Sequence, residues 1–170
     1  MEPAVKPAVS TTQSKVVGVL ATTQTLSSPR FSRLVAQYGA DVAVVPQACP
    51  GLVEQVEKGE RSGHATRVLV EEYVRPLLEK GADTIVLGCT HYAFLTDLVQ
   101  EIAGPTVSVI DPAVAVAREL RRRLEADDRL SSSSARGSER FWTSGPPDAV
   151  QRVISALWKP VTVEQLPMTS

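Results

Sequence analysis

Leu87-Gly88-Cys89-Thr90-His91-Tyr92 sets a thiol, a hydroxyl and an imidazole on three successive residues. A thiol is inert until it loses its proton; as thiolate it is both a base and a nucleophile, and cations or free N–H groups favour that form. The hexapeptide follows an apolar run and opens a helical pattern, so Cys89 falls where a helix start offers unpaired N–H groups and a partial positive charge. The same groups suit a substrate carboxylate. Gly88 lets the backbone turn tightly, Thr90 adds a hydroxyl, and His91 can orient or protonate a neighbour. The competing account is an inert cysteine capping a strand, and spacing alone leaves both open.

Other positions carry weaker signals. Cys49, in Gln47-Ala48-Cys49-Pro50-Gly51, ends a short apolar run and reads better as a small apolar filler than as a reactive group. Glu57 lies downstream on a short helical pattern, where spacing alone favours a solvated glutamate. Thr22 and Thr25 follow the first apolar run and suit either an anion site or a helix N-cap. His64 sits in a polar stretch and reads as solvated.

These residues need elements that end at them. Residues 15–21, 41–45, 84–88 and 107–110 read as short buried strands. Residues 28–38, 66–80, 91–103 and 113–126 read as helices, with Phe31, Leu34, Val35 and Tyr38 on one face of the first and Val70, Val74, Leu77 and Leu78 on one face of the second. Gly81 stands where a helix cap is expected. Strands separated by helices pair in parallel and are covered on both faces, so the class is α/β, a doubly wound parallel sheet in a three-layer sandwich. Ligands of such sheets bind beyond the carboxyl ends of the strands, which is where Cys89 falls. Residues 1–14 are polar and read as a linker, and 15–126 as the domain. Residues 127–138 are serine-rich and read as a second linker. Residues 139–170 add a further strand–helix–strand piece: 139–143, 148–158 and 161–165.

The composition narrows the function. Of 170 residues 43% are hydrophobic, enough for a core, and the net charge of −1 gives no reason to expect nucleic acid. Arg118, Arg121, Arg122 and Arg123 end a helical pattern, where cations suit the dipole. No apolar run reaches the ~20 residues that span a bilayer, and the start lacks a signal-peptide core. Two cysteines without metal-ligand spacing make neither a disulfide framework nor a metal site. The expectation is a cytoplasmic protein with free thiols.

Four segments, GVLAT (18–22), ACPGLVEQVEKG (48–59), GADTIVLGCTHYAFL (81–95) and VIDPAVAVA (109–117), together resemble the glutamate racemase family in order and spacing, as do EPAVKPA near the start and FWTSG at 141–145. The likeness covers nearly the whole chain, and GCTH is its most specific part. It implies two α/β lobes with glutamate between them, L- and D-glutamate interconverted for peptidoglycan, and no cofactor or metal. It further implies one cysteine from each lobe, one taking the α-proton and the other returning a proton on the opposite face. Two thiols, with ordinary values near 8.5, can exchange these roles once their surroundings tune them. By resemblance Cys89 is the second-lobe cysteine, His91 assists it, Thr90 and His91 contact substrate, Glu57 is an assisting acid, and Thr22 and Thr25 line the pocket. Ala93 stands where the family usually has proline, which affects rigidity more than chemistry.

The family's amino-terminal Asp-Ser-Gly and Cys-Asn-Thr segments do not occur here. The resemblance therefore implies a carboxyl-side fragment: a connection at 1–14, the second lobe, and at 139–170 the return of the chain into the first. Cys49 and Cys89 would rise from one sheet edge and reach a substrate from one side, so Cys49 does not replace the missing thiol. A homodimer of the full-length enzyme is left open. So are three alternatives: an aspartate-type racemase, a non-catalytic interaction module, and a thiol hydrolase. Against the hydrolase, positions two apart assure no Cys–His hydrogen bond, and the sequence shows no third orienting group.

Overall fold

The computed structural model describes every residue except Met1, Ala40, Ser134, Arg136 and 168–170. Four strands, β1 (Val16–Ala21), β2 (Ala43–Ala48), β3 (Thr84–Leu87) and β4 (Ser108–Ile110), form one wholly parallel sheet in the order β2-β1-β3-β4. β1 and β3 are central, and their side chains alternate between two cores. Val17, Val19, Ala21 and Val86 face α1 (Glu2–Thr11) and α3 (Pro29–Tyr38), where Val5, Ala8, Phe31 and Leu34 are buried. Leu20, Ile85 and Leu87 face α4 (Leu52–Glu57), α5 (His64–Glu79) and α6 (Thr96–Ala103), burying Leu52, Val56, Val70, Val74, Leu77 and Leu98. Helices on both faces of a parallel sheet make the expected three-layer α/β sandwich. Gly18 in β1 lets α5 lie close, since a Cβ there would stand 2.6 Å from Leu77 Cδ1.

The helix starts follow from their caps. Ser28 Oγ accepts from Phe31 N with Pro29 at the first turn, and Asp111 Oδ1 accepts from Ala113 N to open α7 (Pro112–Ala126). The arginines ending α7 are solvated: Arg121 pairs with Glu125, and Arg122 and Arg123 pair with Glu119.

Several sequence expectations need correction. Residues 2–11 are helix α1 rather than linker; two apolar positions three apart, Val5 and Ala8, supply a buried face that the polar composition hid. The chain leaving α1 is tied down too. Asp83 accepts from Thr12 Oγ1 at 2.6 Å and from the Gln13 and Ser14 amides at 2.7 Å each. The second strand lies later, at Ala43–Ala48, because β2 pairs with β1 through Ala21↔Ala48. His64 is exposed, as its polar stretch suggests, and it is the first residue of α5. The helix expected from 91 divides into a 3-10 turn, Thr90–Leu95, and then α6.

Beyond α7, no helix or strand occurs among the described residues of 127–140. Strands β5 (Phe141–Thr143) and β6 (Val163–Gln165) pair in parallel with each other and not with the main sheet. Between them α8 (Pro147–Leu157) has no buried residue, and Trp142 and Trp158 remain 44% and 58% exposed. No helix among the described residues is long and apolar enough to cross a membrane.

Candidate functional site

The order β2-β1-β3 puts the sheet's switch point between β1 and β3, where the connections leave toward opposite faces. Leu20 is level with Leu87 and Ala21 with Ala48, so Thr22, Cys49 and Cys89 stand side by side at the carboxyl ends of three neighbouring strands. The ladder continues into the site, with Gly88 N donating to Leu20 O and Cys49 N to Ala21 O.

Cys89 is half-buried and caps the 3-10 turn. Its Sγ lies 3.8 Å from His91 Nδ1, and His91 Nε2 lies 3.2 Å from Glu57 Oε1. A carboxylate only accepts, so Nε2 is the donor to Glu57, and in a neutral ring Nδ1 is then the acceptor that faces the Cys89 thiol. Thiol, imidazole and carboxylate thus form one relay, with His91 about one-third and Glu57 62% exposed at their side chains. One motif holds both Cys89 and His91, but nothing in the spacing shows Glu57, 34 residues away, to be the group that orients His91.

Glu57 reaches His91 because two tyrosines fix the turn that launches α4. Tyr92, in the same 3-10 turn as His91, donates its hydroxyl to Cys49 O at 3.2 Å, and Tyr73 of α5 donates to Pro50 O at 2.8 Å. Gly51 then takes a left-handed φ of 84° and starts α4. Burial raises the pKa of both phenols above the usual tyrosine value, so both remain donors. Tyr92 ends the motif that holds Cys89, but nothing there names the partner of its hydroxyl, and the apolar spacing of α5 could mark Tyr73 as core but not its partner.

Cys49 is 2% exposed, and its Sγ donates to Gln47 O at 3.3 Å. Burial pushes its thiol up to about 12, so it stays protonated at neutral pH. Thr22 caps the short helix α2 (Thr23–Leu26): its Oγ1 accepts from Thr25 N at 3.2 Å and lies 2.9 Å from Thr25 Oγ1. The two hydroxyls satisfy one another at the same sheet edge as Cys89, beside the relay rather than in it. Thr90 is exposed at the mouth of the turn. No group of three or more His, Cys, Asp or Glu able to hold a metal occurs among the described residues.

A cleft of about 790 Å³ opens beside the relay. Glu57 and His91 form one wall, and Phe94, Val153, Ile154 and Trp158 contribute to the rest. Nothing in the sequence points to it, because α8 is distant along the chain from Glu57 and His91.

The chain is thus an α/β protein with a thiol, an imidazole and a carboxylate in line at the switch point of its parallel sheet. The profile of the Asp/Glu/hydantoin racemase family matches residues 1–120. The chain is 54% identical over 158 residues to a glutamate racemase of Methylococcus capsulatus, covering 93% of this chain and 58% of that protein. It is 54% identical over 147 residues to one of Herpetosiphon aurantiacus, covering 86% and 58%. Among solved structures, a glutamate racemase isoform of Bacillus anthracis superposes with a TM-score of 0.86 at 25% identity, over 98% of this chain and 63% of that one. A glutamate racemase of Aquifex pyrophilus gives 0.63 at 30% identity, over 96% and 61%. This chain belongs to the Asp/Glu/hydantoin racemase family, a family of amino-acid racemases, and it spans about 58% of the length of the curated relatives named above.

Proposed function

We propose that the chain forms one lobe of a glutamate racemase. Cys89 serves one face of the substrate, moving the α-proton to and from its sulfur without a cofactor. The observation that carries this reading is the Cys89–His91–Glu57 relay at the carboxyl edge of the sheet. His91 accepts the thiol proton at Nδ1, leaving a thiolate able to take the α-proton; Glu57 holds the imidazole in the tautomer that step needs. Thr90 and His91 contact the substrate, and Thr22 and Thr25 border the pocket. Inversion passes through a planar carbanion, so the returning proton must come from the opposite face. Cys49 stands on the same edge as Cys89, buried and protonated, and does not supply it. A second thiol from a facing lobe does.

In this reading residues 139–170 belong with that facing lobe. The product, D-glutamate, feeds peptidoglycan synthesis in the cytoplasm. The names of the relatives support glutamate rather than aspartate as substrate.

The test is to incubate the 170-residue chain with L-glutamate, or L-aspartate, and separate the enantiomers on a chiral column. Negligible D-glutamate is expected from the chain alone. Supplying the amino-terminal lobe of a relative in trans should restore turnover that Cys89→Ser abolishes. Turnover by the chain alone that disappears on Cys49→Ser would overturn the assignment of one usable thiol.

A further inference from the structure

Removing a proton from carbon needs only a positioned base, here a thiolate. Forming and breaking an acyl bond needs more: a nucleophile, a base beside it that later gives its proton to the leaving group, and a third group that orients the base. Cys89, His91 and Glu57 stand in that order, at 3.8 and 3.2 Å. The objection raised by the sequence, that no Cys–His hydrogen bond or orienting group was in view, is met by these two contacts. The neighbouring cleft has its own chemistry. Beyond His91 and Glu57, its lining side chains are aliphatic or aromatic, with Phe94, Ile154 and Trp158 among them and no cation to hold a carboxylate. Such a surface suits an alkyl or aryl group better than a charged amino acid.

We propose that Cys89 also accepts acyl groups, from small carboxylic esters whose alkyl or aryl part sits in this cleft. His91 Nδ1 takes the thiol proton as the Cys89 sulfur attacks the carbonyl carbon. The new C–S bond moves the carbonyl electron pair onto oxygen. That pair returns, the C–O bond breaks, and the alcohol leaves with the proton held by His91. Water then attacks the thioester, passing its proton to His91, and the C–S bond breaks as that proton returns to sulfur. The balance is ester plus water to acid plus alcohol. Glu57 acts through His91 and is a positioning residue. This activity differs from proton transfer at an α-carbon, so either can fail without the other.

The experiment treats the whole chain at pH 7 with p-nitrophenyl acetate and p-nitrophenyl butyrate, following nitrophenol release, and maps the acyl adduct by peptide mass. One adduct on Cys89 is expected. Its formation should outpace that of N-acetylcysteine at the same pH by at least about tenfold, within what a positioned base supplies, and should be followed by continued turnover. Cys89→Ser should remove the adduct, and Cys49→Ala should leave the rate unchanged. His91→Asn should lower acylation to the free-thiol level. Glu57→Gln should lower it several-fold and change its pH profile, which a purely structural role would not do. Val153→Asp, in the cleft wall, should abolish any preference for butyrate over acetate. An adduct on Cys49, a rate no better than N-acetylcysteine, a rate indifferent to His91→Asn, or an acyl-Cys89 that never turns over would each overturn the proposal. α-Deuterium uptake by glutamate in D2O, measured on the same preparation, reads the racemase chemistry separately.

Discussion

Replacing Asp83 should detach the amino-terminal helix from the sheet. Oδ1 of Asp83 receives the Thr12 hydroxyl at 2.6 Å and the Thr84 hydroxyl at 3.1 Å, while Oδ2 receives two backbone amides at 2.7 Å each. Burial by itself would raise the carboxyl's pKa; the four donors outweigh it and hold the group well below the usual carboxylate range. A hydrogen bond to a charged group contributes about 1.5–3 kcal/mol net when shielded. Asp83 is only half-buried, and solvent discounts each bond. Asp83→Ala should therefore cost about 2–4 kcal/mol in total. Asp83→Asn keeps two acceptor bonds and should cost about 1–2 kcal/mol. The sign with pH follows from linkage. The folded value is depressed, so the stabilisation is complete above the unfolded value of about 3.9 and is lost as pH falls through the folded value. Urea unfolding followed by circular dichroism, at pH 7 and again in acid, measures both. Equal midpoints for the protein and Asp83→Asn at pH 7, or a gap that does not narrow in acid, would refute this reasoning.

Three further outcomes are expected. Iodoacetamide at neutral pH should label Cys89 and spare Cys49 in the folded protein, and mass mapping after brief exposure should show it; because burial raises Cys49 to about 12, the fold should also lose stability as pH climbs from its unfolded value near 8.5 toward that figure. Tyr92→Phe leaves the Cys49 carbonyl without its donor and should cost about 1–3 kcal/mol, while slowing Cys89 alkylation because Glu57 no longer meets His91 squarely; unchanged alkylation with reduced stability would limit Tyr92 to a packing role. Gly18→Ala forces its Cβ to within 2.6 Å of Leu77 Cδ1 and should cost about 1–3 kcal/mol by overpacking, read from thermal unfolding.

The sheet was legible because its strands are short apolar runs, and its helices because their apolar residues recur on one face. Val17, Val19 and Ala21 going one way and Leu20 the other is what a strand buried on both sides requires, and such strands show no polar alternation to confuse the reading. Helix α1 is hidden in the sequence for the opposite reason. Two buried residues and two prolines within 2–11 make a weak local signal, and the helix is held by tertiary contacts that no short window contains. The strand β2 was displaced for a related reason: Pro46 and Gln47 look like a turn, yet at a sheet edge, paired only with β1, a proline is tolerated.

The site divides along the same line. Cys89 and His91 lie two residues apart, so the motif that names them also carries their geometry once the 3-10 turn folds. Glu57 joins them only after β1, β2 and β3 align and two phenols fix the turn before α4, and none of that is local. The consequence is a separation of roles within the relay. The 3-10 turn sets the distance from sulfur to imidazole, while the Tyr92–Cys49 and Tyr73–Pro50 bonds set the distance from imidazole to carboxylate. A change in the turn should therefore disturb proton transfer from the thiol. A change in the clamp should leave that contact in place and loosen the tautomer that makes it productive, so the two kinds of variant should differ in how thiol reactivity depends on pH rather than in whether the thiol reacts at all.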